Sequence, residues 1–227
     1  MPTYPGQAAV GGPERERLHR HDFVGVDVPL VDFPGAERQR RLMEELLQSS
    51  ASFMLSAPDT IGAGETLTVK ATVENIFAGH ALPSGVAAER QMWIAMTVRD
   101  QNGSVLFETG QLDANGDLMD QHSTLDPDGD PHLAIYRQTL YGEDGKEVLF
   151  FFQAKRVEND MIPLFSSRTA NYDMPLPAAA AGELTLEAKL RFRSLPPYFL
   201  RELGLDELVA KVPIVDMEQA QRKVIIK

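Results

Sequence analysis

His80 is the residue whose setting most suggests chemistry. It lies in the segment Val73-Glu74-Asn75-Ile76-Phe77-Ala78-Gly79-His80-Ala81-Leu82-Pro83-Ser84-Gly85, with Arg90 and Trp93 beyond it. A loop bounded by two glycines and a proline at the end of an apolar strand offers few shapes, so its imidazole is held in place. That is what an axial ligand to a metal or haem iron requires. The competing role is a histidine that only hydrogen-bonds its own loop. Ser84 is four residues on, but a serine nucleophile needs an oriented base, and no third member is apparent. The chain also lacks a Gly-x-Ser-x-Gly elbow, a His-Glu-x-x-His pair and a phosphate-cradling glycine loop, so the expectation is a non-enzymatic protein.

Two acidic loops form a second candidate site. Asp113, Asn115 and Asp117 surround Gly116, and Asp126, Asp128 and Asp130 surround Gly129. Oxygen ligands at alternate positions suit a hard cation such as calcium. Neither loop carries the bidentate Glu that closes a twelve-residue calcium loop, and Asp-Gly and Asn-Gly are also ordinary turn residues. His122 and His132 flank the second loop at a spacing that fits no usual zinc pattern, and both are expected at the surface.

The elements that must position these groups read as mainly β. Residues 1–33 are punctuated by Pro and Gly, which predicts an irregular arm. From Pro34 to Ser49, with Asp32 as a possible cap, Leu42, Met43, Leu46 and Leu47 make one stripe of an amphipathic helix. Beyond it the period falls to two. Leu67, Val69, Ala71 and Val73 alternate with polar residues, as do Met92, Ile94, Met96 and Val98. Asp100 to Gly103 offers a turn to a return strand at Val105 and Phe107. Leu133–Leu140, a turn at 142–145, and Val148, Phe150 and Phe152 suggest another hairpin, with Phe150, Phe151, Phe152 and Trp93 as strand or core residues. Leu184 to Phe192 reads as a long strand with one charged face. Pro196-Pro197 precedes short helices, and Val224–Ile226 forms a last strand. The expected architecture is an antiparallel, immunoglobulin-like β-sandwich over 51–227, preceded by an arm and helix over 1–50.

A formal net charge of -11 argues against nucleic acid or an anionic membrane surface. No window reaches the roughly 18 consecutive apolar residues of a membrane span, and the first twenty residues lack a signal-peptide core. With no Cys, the chain has no disulfide, no thiolate metal site and no Cys-x-x-Cys-His haem attachment site.

The His80 segment resembles the C-terminal β-rich domain of multihaem c-type cytochromes, which carries a segment like Asn-x-x-Ala-Gly-His-x-Leu-Pro-Thr-Gly, then an Arg and an aromatic-rich strand. Asn75, Ala78, Gly79, His80, Leu82, Pro83, Gly85, Arg90 and Trp93 match it, with Ser84 in place of Thr. Glu108 to Asp113 with Gly116-Asp117 is similar to a second family segment. Met1-Pro2, a Gly-rich stretch and then His21-x-Phe23-x-Gly25 resembles the stretch directly after the last haem site in that family, so Met1 is expected to be an internal methionine.

The resemblance implies haem c attached to an upstream segment. It makes His21 and His80 candidate axial ligands, with His19 a weaker neighbour. The implied function is electron transfer in the periplasm or outside the cell, with the haem-bearing remainder of the parent cytochrome and a redox protein as partners. Bis-histidine ligation saturates the iron and disfavours substrate binding. The alternative is a haem-free β-sandwich that binds a protein, a carbohydrate or calcium.

Overall fold

The computed structural model describes residues 3–19 and 23–227. The chain is mainly β, and two packed antiparallel layers hold its core. The smaller sheet has three strands, in the order β11 (Ser166–Pro175), β5 (Thr66–Asn75), β3 (Ser52–Ser56). The larger runs β4 (Thr60–Ile61), β13 (Ile214–Ile226), β12 (Gly182–Arg193), β6 (Gln91–Arg99), β7 (Val105–Thr109). β8 (Ile135–Tyr136) continues along the same edge of β6 as β7, and β4 joins β13 in parallel.

Period-two patterning explains the layers. On β5, Leu67, Val69, Ala71 and Val73 are fully buried; Met92, Ile94, Met96 and Val98 face them from β6, and Leu184, Leu186, Ala188, Leu190 and Phe192 from β12. The reverse side of β6 makes a second, smaller core, where Trp93 and Ala95 pack with Leu118 beneath the loops after β7. Trp93 Nε1 donates to the Gly110 carbonyl at 3.0 Å. Gly110 has φ 67, and a Cβ there would lie 2.1 Å from the Ile94 carbonyl oxygen, so only glycine fits.

Helix α1 spans Ala36–Gln48, buries Met43 and Leu47, and packs on β13. Its N-cap is Gly35 rather than Asp32, with no side-chain cap. The predicted short helices are α2 (Pro197–Glu202), with Pro197 in its first turn, and a 3₁₀ segment at Asp206–Lys211. Among the described residues no helix is long and apolar enough to cross a membrane.

Three expectations are corrected. The arm contains a hairpin, β1 (Thr3–Gln7) with β2 (Glu14–His19), whose register slips between Tyr4 and Gly6; the slip absorbs the Pro and Gly that argued against regular structure. The 142–145 turn forms, but β9 (Gln138–Tyr141) takes β10 (Arg156–Asn159) as its ladder partner. Residues 151–153 form a 3₁₀ turn, and Phe151 and Phe152 are each 72% exposed, so they are neither strand nor core. Consecutive phenylalanines cannot all face one side, and Phe150 takes the inward place, 5.8 Å from Phe199 between ring centroids.

Candidate functional site

The His80 loop leaves β5 at Asn75 and is fixed through its backbone. Asn75 is fully buried, and its Nδ2 donates to the His80 carbonyl at 2.7 Å and the Ile162 carbonyl at 3.0 Å. Leu82 and Ile162 exchange backbone hydrogen bonds of 2.9 and 2.7 Å. Gly79 (φ 79) and Gly85 (φ 81) take the left-handed conformations that let the loop reverse on each side of His80. The Leu82–Pro83 peptide is cis.

The imidazole is exposed, and its two nitrogens differ. Nδ1 lies 3.0 Å from the Ala81 carbonyl oxygen. A carbonyl can only accept, so Nδ1 carries the hydrogen and Nε2 of the neutral ring keeps its lone pair. The nearest partner of Nε2 is the Ser84 hydroxyl at 3.5 Å, the outer limit of a hydrogen bond and easily displaced.

His80 borders a cavity of about 320 Å³, at the small end of ligand-site volumes. Its walls are Val24 and Val26 from the N-terminal segment, Leu46 and Leu47 of α1, Leu82 and Pro83 of the loop, and Met92, Phe192 and Met217 of the large sheet. Arg90 pins the N-terminal wall. Its guanidinium donates to both oxygens of Asp27 at 2.8 Å and to the Ser194 carbonyl at 2.6 Å. Burial raises the neighbouring Glu89 carboxyl above its ordinary value, and the charge of Arg90 opposes that rise. Ile76, Phe77, Val86 and Leu46, all on the loop or the helix beside it, are exposed apolar side chains.

The other candidates fall elsewhere. His21 lies outside the described residues. His19 ends β2 opposite Thr3 and is not among the residues lining this cavity. The carboxylates of Asp113, Asp117 and Asp130 are occupied by the protein. Asp113 accepts from the Asn115 and Asp117 amides and from the Ser123 hydroxyl. Those hydrogen bonds hold its carboxyl below the usual range against the opposing effect of burial. Asp117 is buried and pairs with Arg201. Asp130 accepts from the Thr109 hydroxyl and the Gly110 and His132 amides. Asp126 and Asp128 shape the turn at Gly129, with Asp128 at φ 55, and the Asn115 amide donates to Thr124. Among the described residues no three His, Asp or Glu side chains converge as metal ligands. His132 is at the surface beside Phe107 as expected, but His122 is not: its side chain is only 13% exposed, because Tyr198 covers its ring. Sequence reasoning picked out Arg90 but missed its partner Asp27, since no local pattern joins residues 63 positions apart.

Fold and site together define an antiparallel β-sandwich with a loop-borne, outward-facing histidine beside an apolar cavity. The chain is similar to the crystal structure of a penta-heme cytochrome c552 from Thermochromatium tepidum, with a TM-score of 0.57 at 20% identity over 79% of this chain. The alignment spans 41% of that cytochrome's length. The likeness is one of fold. Much looser matches are the CARDB domain of PF1109 from Pyrococcus furiosus, in complex with di-metal ions (TM-score 0.34, 7% identity, 78% of this chain and 87% of that one), and a PapD-like domain of human CEP192 (TM-score 0.26, 10% identity, 92% and 98%). No family model and no curated protein matches the chain.

Proposed function

We propose that this chain is the non-enzymatic C-terminal module of an extracytoplasmic multihaem c-type cytochrome, and that His80 supplies an axial imidazole to a haem attached elsewhere in the parent protein. The observation that carries the proposal is the state of the His80 ring: Nδ1 is tied to the Ala81 carbonyl, and Nε2 is held only by a loose hydroxyl beside an apolar cavity. A backbone carbonyl on the distal nitrogen is the outer-shell arrangement that fixes the tautomer of an iron-bound histidine and raises its basicity. The donor set fits haem: one neutral nitrogen, apolar walls for a porphyrin edge, and a loop whose shape does not depend on the ring. Haem would supply reversible one-electron chemistry, and the chain's part is to bind, orient and keep water from one face. The sequence motif at His21, three residues before Val24 on the cavity wall, makes His21 the candidate for a second iron ligand in the parent.

The test titrates the purified chain with a haem peptide that carries one fixed axial histidine and one open position. Conversion to a low-spin bis-histidine spectrum in the wild type, lost in His80→Ala and kept in His132→Ala, is the expected outcome. Equal spectra for wild type and His80→Ala would remove the assignment and leave a haem-free binding module.

A further inference from the structure

His122 is held on both ring nitrogens and on one ring face. Its ring stacks on Tyr198 of α2, with centroids 3.8 Å apart and planes 10° from parallel. Nδ1 is 3.1 Å from Asp120 Oδ1, and Nε2 is 3.4 Å from Glu147 Oε1. A neutral imidazole has one N–H and would turn a lone pair toward one of these carboxylates, whereas imidazolium donates to both. Arg137, itself buried, approaches Glu147 at 3.5 Å and donates to the Tyr198 hydroxyl at 3.2 Å; Gln121 donates to the other Glu147 oxygen at 2.7 Å. Two carboxylates then face one guanidinium and one imidazole, and the charges balance when His122 is protonated. Beyond this group are Arg193 of β12 and the Asp117–Arg201 pair, which together carry one cation more than they carry anions.

We propose that His122 is a proton-binding latch: protonated, it ties Asp120 to Glu147, near the two ends of the segment 118–147, beneath Tyr198 of α2, and on losing its proton it lets that segment loosen. The segment matters because Leu118, Leu133 and Ile135 pack against Trp93, the chain's single tryptophan. Burial pulls the imidazole toward the neutral form, but the hydrogen bonds and charges of Asp120 and Glu147 outweigh it and raise His122 above its ordinary value. Burial likewise opposes ionisation of Asp120 and Glu147, and their hydrogen bonds to His122 hold both below the usual carboxylate range. A raised histidine contributes stability fully below its unfolded value of about 6.5, and that stability is lost as pH rises through the folded value. The latch therefore closes as pH falls below the folded value, which lies above the ordinary one, and opens as pH rises through it.

The experiment monitors the whole chain from pH 6 to 9, in wild type and His122→Gln. Amide hydrogen exchange in 118–147, corrected for the intrinsic pH dependence of exchange, is read beside the His122 ring resonances. The expected result is His122 titrating above 6.5 with exchange in the segment rising at least tenfold through the same midpoint, and little such rise in His122→Gln. A wild-type midpoint at or below 6.5, or an exchange profile shared by both proteins, would overturn the proposal. Should His122→Gln fail to fold, the coincidence of ring titration and exchange in the wild type decides alone.

Discussion

His80 and His122 both sit in loops between strands, yet the protein treats their rings in opposite ways. At His80 the backbone does the holding: Asn75 and the Leu82–Ile162 pair shape the loop, and the ring contributes one hydrogen bond at 3.0 Å to its neighbour's carbonyl. At His122 the ring is itself the brace, with a carboxylate on each nitrogen and a phenol ring on its face. What a histidine can do depends on how many of these three positions the fold occupies. One nitrogen left open beside a cavity suits it to a ligand; none left open suits it to holding a proton and the segments around it.

The sharpest way to break this contrast is to remove the His122 ring. His122→Ala leaves Asp120 and Glu147, whose side chains are 10% and 21% exposed, without their shared cation. A loss of about 2–4 kcal/mol is expected, in the range for stranding partly buried charged groups. For a chain of this length that lowers Tm by roughly 5–15 °C, measurable by calorimetry. A loss under about 1 kcal/mol would place His122 among ordinary surface residues. Asp120→Asn in the same background should cost less than it does alone, because the two side chains share one interaction.

Next in size is the clasp on the cavity wall. Arg90→Ala is expected to cost about 1–3 kcal/mol, since it strands the Ser194 carbonyl as well as Asp27. Asp27→Asn should cost no more than about 1 kcal/mol, because the Asp27 side chain is 58% exposed. Denaturant unfolding measures both. Arg90→Ala should also weaken haem-peptide binding although His80 is untouched, through a loosened Val24–Asp27 wall. Unchanged binding would confine the site to the loop.

Smaller again is the acid limb of stability. Asp120 and Glu147 lie below their ordinary values, so they contribute stability above about pH 4 that is lost as pH falls through their folded values. With His122 acting in the opposite sense, Tm should peak between about pH 5 and 6.5. Asp120→Asn should flatten the acid side of that peak, and an unaltered acid limb would move the titrating groups elsewhere.

How much of this was legible in the sequence depends on the range of the interactions. The alternation of β5 and β6 and the stripe of α1 are local, and they appear within a residue or two of where the periodicity places them. β11 carries no such pattern: of Ser166–Pro175 only Tyr172 and Met174 are buried, and the strand exists because it pairs with β5 along ten residues. β13 starts well before the apolar Val224-Ile225-Ile226, because β12 extends it through a polar stretch. The site divides the same way. The glycines, proline and histidine of the His80 loop are contiguous and readable. Asp27 with Arg90, and Asp120 with Glu147 and Tyr198, meet only after the sheets have packed, so their residue types gave no signal.

The smallest expected stability effect is the one that most sharpens the contrast. His80→Ala removes an exposed ring held by one hydrogen bond to the adjacent carbonyl and a loose contact with the Ser84 hydroxyl, and none of the loop's backbone anchors passes through it. Its Tm and denaturant midpoint should stay within about 0.5 kcal/mol of wild type, as for surface substitutions away from structural features. The same variant should lose the bis-histidine spectrum with the haem peptide, because no loop side chain other than His80 offers an imidazole nitrogen there. Unchanged stability with a lost spectrum separates ligand from brace in one protein. A stability loss as large as that of His122→Ala would mean the His80 ring is also a structural support, and the division between the two histidines would fail.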